Sequence, residues 1–383
     1  MNNTPKRKLR VGILFGGKSA EHEVSIQSAR NILEALDKNK FEPLLIGIDK
    51  DGRWKLHNVT ALQSENITAA LTTSSELGLS FGGKNNLVTS SNNTPLQAPL
   101  DVIFPILHGP LGEDGAIQGL LEMADVPYVG AGILGSAVGM DKDIMKRLLR
   151  EAGVPIAKHI TLRSSQQQSL DPKAIIETLG VPLFIKPANM GSSIGVSRAT
   201  NELELLKAIE LGFTYDGKVL VERAVDGDEV ECAILGNERP RASVPGRITF
   251  KAGFYTYEAK YNENEGTRLE IPAKLSEQLQ NKIQQTAIRA YKALECEGMA
   301  RIDMFVSKQG QVVVNEINTL PGFTKFSMYP QLWEASGLSY TNLITELLEL
   351  AIDRASKRRE FFTTHNVAIF TEDRKGSTQD KTS

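Results

Sequence analysis

Residues 300–327 read ARIDMFVSKQGQVVVNEINTLPGFTKFS. Val, Ile and Phe favour strands, and Gly among polar residues marks a turn, so Arg301 to Val306 and Gln311 to Ile317 are expected to be strands joined at Lys308-Gln309-Gly310. Side chains two apart on a strand share a face. Arg301 and Asp303 therefore point one way, and so do Glu316 and Asn318. Paired around the turn, Asp303, Glu316 and Asn318 converge on one spot. Three hard oxygen ligands without His or Cys suit Mg²⁺ bound to nucleotide phosphates. An edge hairpin with a solvated polar face fits the same residues, so the rest of the chain has to decide.

The 383 residues carry a net charge of -2 and are 41% hydrophobic, an ordinary globular balance with length for two or three domains. No basic excess points to nucleic acid. Cys232 and Cys296 fit no metal or redox spacing, which agrees with a reducing, cytoplasmic setting. Basic residues precede an apolar run at the N-terminus, but that run breaks at Gly16-Gly17 and continues into SAEHE, so neither a signal peptide nor a membrane span is expected.

Outward from the hairpin, LRVGILFGG, VSIQSARNILEALDK and FEPLLIGID read as strand, helix and strand, the start of a doubly wound α/β unit. Gly12 to Ser19, GILFGGKS, satisfies a phosphate-loop pattern, yet its first Gly falls inside the strand, which argues against that reading. The residues after the turn lie where open α/β sheets bind ligands; Ser19 would cap the helix. Residues 58–99 are rich in Ser, Thr, Asn and Gly and read as an irregular insertion with a short hairpin. LDVIFPILHG is a strand ending at His108, with Glu113 and Asp114 opening the next helix. A helix from about Asp141 to Ala152 carries Lys142 in its first turn. VPLFIKPA is a strand ending near Lys186, and Gly191-Ser192-Ser193-Ile194-Gly195 can wrap an anion with N–H groups and hydroxyls. KVLVERAV is a strand carrying Glu222; Glu229 and Glu231 share a face of the next one. Residues 247–266 are long, aromatic and charged, either a lid or a solvent-exposed loop, and the tail past Thr364 reads as disordered.

The ordered set GGKSAEHEVS, LHGPLGEDG, MDK, FIKPANMGSSIG, LVER, EAKY, RIDMF and NEINTLPGFT, spanning about Arg10 to Arg354, resembles the ATP-grasp fold and within it the D-alanine–D-alanine ligase family. The resemblance implies an α/β fold, α+β in its C-terminal half. A Rossmann-like N-terminal domain (1–138) would precede a central ATP-grasp subdomain (139–226), a C-terminal catalytic subdomain (227–362) and a polar tail (363–383). It implies ATP-dependent joining of two D-alanine molecules through a D-alanyl phosphate, for peptidoglycan precursor synthesis, with two Mg²⁺ or Mn²⁺ ions per site and a homodimer as partner arrangement.

By the same resemblance, Lys142 and Lys186 bind ATP phosphates, and Gly191, Ser192 and Ser193 belong to the loop that closes on them. Glu222 serves the adenine and Glu229 the ribose. Asp303, Glu316 and Asn318 ligate the metals. Glu21 binds the ammonium of the first D-alanine, with His108 nearby. Arg301 and the Gly322 N–H form the oxyanion hole. Ser327 and Lys260 contact the second carboxylate and phosphate, and Ser192 and Tyr261 form a hydrogen-bonded set with Glu21. Tyr261, where ester-forming relatives commonly carry another residue, favours a dipeptide product over D-lactate. Arg223-Ala224 and Met190 depart from residues some relatives carry. A non-catalytic nucleotide-binding relative would be expected to lack Arg301 or a metal ligand, and a nicotinamide site lacks its GxGxxG spacing.

Overall fold

The computed structural model describes residues 7–62, 75–79, 87–89, 94–95, 99–250 and 267–363. Leu9–Gly16 (β1) is buried from Val11 onward, as a strand covered on both faces should be. Its burial places Gly12 to Phe15 inside the sheet, which rules out a phosphate loop starting at Gly12. His22–Ala35 (α1) buries Ile26, Ala29, Ile32 and Leu33, and returns the chain to Phe41–Ile48 (β2), parallel to β1. Glu21, not Ser19, is the N-cap residue; the Ser19 hydroxyl instead accepts from the Glu21 N–H at 3.2 Å.

Trp54–His57 (β3) runs antiparallel to β2. Ser75–Leu79 (β4), Leu87–Thr89 (β5) and Thr94–Pro95 (β6) continue outward, also antiparallel. Val102–Ile106 (β7) flanks β1 in parallel, giving the order β6-β5-β4-β3-β2-β1-β7. The segment read as irregular with one hairpin thus contributes three strands to the sheet edge. Edge strands are held by backbone pairing, so a polar composition does not forbid them.

Ala116–Met123 (α2), Ile133–Met140 (α3) and Lys142–Glu151 (α4) lead away from this sheet. The next unit is His159–Arg163 (β8), Pro172–Leu179 (α5), Leu183–Pro187 (β9), Ser197–Ala199 (β10), Glu202–Phe213 (α6) and Lys218–Arg223 (β11). Its four strands are antiparallel in the order β10-β9-β11-β8. Leu183, Ile185, Val219 and Val221 face the two helices, packing with Ile175, Leu179, Leu205 and Ile209. Strand alternation then sends Lys186 and Glu222 to the opposite face.

Asp228–Leu235 (β12), Arg241–Ala242 (β13), Gly246–Phe250 (β14), Thr267–Glu270 (β15), Glu277–Ala293 (α7), Met299–Val306 (β16) and Val312–Asn318 (β17) build the third sheet, in the order β15-β14-β12-β16-β17 with β13 on β12. Residues 247–250, at the start of the stretch read as a lid or loop, are strand. One face of this sheet packs on α7 through Ile283, Ala287, Ala290 and Tyr291, joined by Met145 and Leu149 from α4. Met328–Ala335 (α8) and Tyr340–Thr363 (α9) close the described chain. Leu343, Ile344, Leu347 and Leu348 of α9 share a core with α1, β1 and β7, so the last helix ties the third sheet to the first. Among the described residues no helix is long and apolar enough to cross a membrane.

Candidate active site

Strands β16 and β17 pair Arg301 with Asn318 and Asp303 with Glu316. The register slips after Asp303, so that Met304 faces Val314 and Asn315 is the extra, bulged residue. Val312, Val314 and Ile317 point into the core, while Asn315, Glu316 and Asn318 all stay on the cleft side. The bulge therefore places three polar side chains, not two, over the cleft. Asp303 is 2% exposed. The Arg301 guanidinium donates to both its oxygens at 2.7 Å, the strong two-point geometry, and the Asn318 amide donates at 2.9 Å. Arg301 also lies 2.8 Å from buried Glu231. Among the described residues no group of three His, Cys, Asp or Glu stands ready to hold a metal. The donors Asp303, Glu316 and the Asn318 carbonyl are all hard oxygens, which fits a divalent ion sharing its shell with phosphate and water.

Lys142 opens α4, whose start is fixed by Asp141, which accepts from the Asp143 and Ile144 N–H groups and takes a 2.7 Å hydrogen bond from Lys218. From there the Lys142 ammonium donates to the Met190 carbonyl at 2.8 Å and sits 3.6 Å from Glu316. Lys186 contacts Glu222 and the Asn315 side-chain oxygen, each at 2.9 Å. The other Glu222 oxygen is 3.0 Å from Lys146, a fully buried lysine one turn beyond Lys142, which also donates to the Asn315 carbonyl at 3.2 Å. Burial alone would raise the Glu222 carboxyl; the two ammonium groups overcome it and draw it down to about 2. Burial likewise lowers the Lys146 ammonium, with Glu222 opposing.

The loop after β9 holds Ser192 and Ser193 at φ 51° and 59° and Gly195 at φ 71°. A Cβ on Gly195 would lie 2.7 Å from the Tyr215 ring and 2.8 Å from Pro187, so only glycine fits. Two serines held left-handed are strain of the kind that gathers at ligand clamps. The Ser192 hydroxyl donates to Glu21 at 2.5 Å, joining this loop to the N-terminus of α1. His108 is buried beyond β7 near Glu21, its Nε2 without a hydrogen-bond partner, and burial depresses its pKa despite the carboxylate. Glu113 accepts from the Gly109 N–H at 2.6 Å; burial, and then Glu21, push its carboxyl up to about 8.

Past β17 the chain turns through Gly322 to Ser327, whose hydroxyl accepts from the Thr324 N–H at 2.9 Å. A Cβ on Gly322 would come within 2.9 Å of that hydroxyl. Glu229 lies on β12 opposite Ile248. Lys260 and Tyr261 lie outside the described residues. A cleft lined by Glu113, Met140, Lys142, Gly191, Glu316 and Asn318 collects groups from all three parts of the chain. Lys146 and Asn315 are further residues of the site, beyond those the sequence points to. Lys146 is hidden in an amphipathic helix, where lysines are ordinarily solvated. Asn315 had a signal: the apolar phase 312, 314, 317 slips by one residue.

Two family sequence profiles match the chain: D-ala D-ala ligase N-terminus over residues 10–131, and D-ala D-ala ligase C-terminus over 148–349. The D-alanine–D-alanine ligase of Shouchella clausii is 52% identical over 357 residues, 92% of this chain and 97% of that one. The solved D-alanine-D-alanine ligase of Coxiella burnetii superposes with a TM-score of 0.82 at 39% identity, covering 93% of this chain and 98% of that one. The VanG D-Ala:D-Ser ligase of Enterococcus faecalis also reaches 0.82, at 34% identity over 90% of this chain and 100% of its own. Taken with a cleft that gathers Lys142, the Gly191 loop and the Glu316 to Asn318 end of the hairpin, these matches make the chain a member of the D-alanine–D-alanine ligase family of ATP-grasp enzymes.

Proposed function

We propose that the enzyme joins two D-alanines into D-alanyl-D-alanine, converting ATP to ADP and phosphate, for peptidoglycan precursor synthesis. A carboxylate is a poor electrophile. The first D-alanine carboxylate therefore attacks the γ-phosphorus, releasing ADP and giving an acyl phosphate. The amine of the second D-alanine attacks that carbonyl, and phosphate leaves from the tetrahedral species. The observation that carries this reading is the shared cleft, where Lys142, Gly191, Glu316 and Asn318 face one another.

In this reading Lys142 and Lys186 hold the phosphates, exchanging Glu316 and Glu222 for nucleotide oxygens, while Gly191 to Gly195 close over them. Glu222 recognises adenine and Glu229 ribose. Asp303, Glu316 and Asn318 hold two Mg²⁺ or Mn²⁺ ions; when bound, these neutralise charge on the transferring phosphoryl group. Glu21 binds the ammonium of the first D-alanine beside His108. Its contact with Ser192 closes the loop and, with Tyr261, excludes water that would hydrolyse the acyl phosphate. Arg301 and the Gly322 N–H stabilise the tetrahedral oxyanion. Ser327 and Lys260 receive the second carboxylate and the phosphate. Tyr261 favours an amine as second nucleophile.

The proposed division of the chain is 1–138, 139–226, 227–362 and a tail. We place the enzyme in the cytoplasm as a homodimer, an assembly supported by the apolar surface that α2 and α3 expose, with Met123 75%, Ile133 41% and Leu134 60% accessible. Phosphate release with ATP, Mg²⁺ and D-alanine, followed by mass spectrometry of the product, tests the reading. Dipeptide that requires all three components is expected. Phosphate release stimulated by D-lactate or D-serine, with the mixed product, would reassign the second substrate.

A further inference from the structure

Helix α1 carries a line of buried polar residues at every third position: Ser25, Ser28 and Asn31, none more than 4% exposed. Buried polar groups persist where they are hydrogen-bonded. Ser25 serves the first sheet, accepting from the Gly16 N–H at 2.8 Å and donating to the Ile106 carbonyl. The other two reach a residue nearly 300 positions away in the chain. The Ser28 hydroxyl accepts from the Phe323 N–H at 3.2 Å, and the Asn31 amide donates to the Phe323 carbonyl at 3.1 Å. Gln27 donates to the Asn31 side-chain oxygen at 3.3 Å, which orients the amide. Phe323 follows Gly322 directly, and its fully buried ring packs edge-on against Phe104 with centroids 5.5 Å apart.

Two side chains of one helix thus reach both backbone groups of a residue in the turn between the metal-ligand strand and Ser327; Ser28 takes its N–H, and Asn31 shares its carbonyl with the Tyr340 hydroxyl, which donates at 2.7 Å. The Phe323 N–H belongs to the peptide plane it shares with Gly322, so fixing it fixes the direction in which Gly322 leaves the turn. The same helix bears Glu21 at its N-cap. We infer that Ser28 and Asn31 are positioning residues: through the rigid rod of α1 they set the Gly322–Ser327 turn, where the second D-alanine and the oxyanion are received, at a fixed offset from the Glu21 subsite of the first. This inference rests on the proposed reading of the reaction.

Loosening the turn retards the amine attack more than the phosphoryl transfer. Water then competes for the acyl phosphate, D-alanyl phosphate and water giving D-alanine and phosphate. The experiment measures phosphate released per dipeptide formed, with ATP, Mg²⁺ and D-alanine, in the wild type, Ser28→Ala, Ser28→Thr and Asn31→Asp. Asn31→Asp keeps the volume and removes the N–H donor; Ser28→Thr keeps the hydroxyl. The wild type is expected to release one phosphate per dipeptide. Ser28→Ala and Asn31→Asp are expected to exceed that ratio and to raise the KM for the second D-alanine, with dipeptide kcat down by a factor of about 5 in Ser28→Ala for one lost neutral hydrogen bond, and by more in Asn31→Asp, whose carboxyl group would face the Phe323 carbonyl in a buried site. Ser28→Thr should retain the coupling. Ile32→Val, a core change on the same helix, controls for stability and should lower the melting temperature without moving the ratio. Ratios of one in both Ser28→Ala and Asn31→Asp would overturn the inference, as would uncoupling by Ile32→Val. A wild type that forms no dipeptide would overturn the proposed reaction itself, and the inference with it.

Discussion

Lys146→Met is the most informative perturbation of the nucleotide half of the site. Lys146 and Lys186 flank one carboxylate, at 3.0 and 2.9 Å from the two Glu222 oxygens, and the Lys146 side chain has no solvent exposure. Removing one partner of a buried ion pair costs about 3–5 kcal/mol, because the other charge is left uncompensated. While Lys186 stays in place Glu222 keeps one counter-charge, so roughly half of that, about 2 kcal/mol, is expected in the ligand-free enzyme. When ATP phosphate draws Lys186 away, Glu222 in the variant has no ammonium left and the full penalty of about 4 kcal/mol applies. The difference of about 2 kcal/mol should weaken ATP about 30-fold. Thermal melting reads the first effect; ATP titration by calorimetry, with saturation kinetics, reads the second. A lowered melting temperature with unchanged ATP affinity would refute this reasoning, because Lys186 would then not exchange Glu222 for phosphate.

Other outcomes follow from the same geometry. Arg301→Lys cannot grip Asp303 at two points while meeting Glu231, and should lower kcat by about 10²–10³ at saturating substrates, with ATP affinity little changed. Gly195→Ala forces a Cβ onto Tyr215 and Pro187 at φ 71° and should destabilise by about 2 kcal/mol or more, read from denaturant midpoints. His57 is 6% exposed, and burial, then Lys55, hold its pKa at about 4 against an ordinary 6.5. The unfolded chain takes up that proton first on acidification. Stability is therefore fully present above pH 6.5 and is lost as pH falls toward 4, by about 3 kcal/mol, and His57→Gln should flatten that part of the profile.

What could be read before folding was whatever obeys a local period. Alternation along RIDMF and VVVNEIN predicts the hairpin, and the strand–helix–strand opening predicts the parallel centre of the first sheet. Groups whose role depends on distant partners were harder. Lys146 looks like any lysine on an amphipathic helix until Glu222 arrives from another sheet. Ser28 and Asn31 look like tolerated polar residues until Phe323 packs beneath them. Asn315 is displaced by a single-residue bulge that shifts the phase of its strand. The Ser/Asn-rich segment concealed strands because backbone pairing alone extends an edge.

The acyl phosphate is the centre of the account, and oxygen-18 reads it directly. D-Alanine labelled in both carboxylate oxygens is incubated with unlabelled ATP and Mg²⁺, and the phosphate and dipeptide are weighed by mass spectrometry. Attack of the carboxylate on the γ-phosphorus carries one labelled oxygen into each phosphate released, and the new peptide carbonyl keeps the other. Phosphate with one oxygen-18 per dipeptide is the predicted result. Unlabelled phosphate alongside dipeptide would mean that the carboxylate never bonded to phosphorus, and would contradict the mechanism.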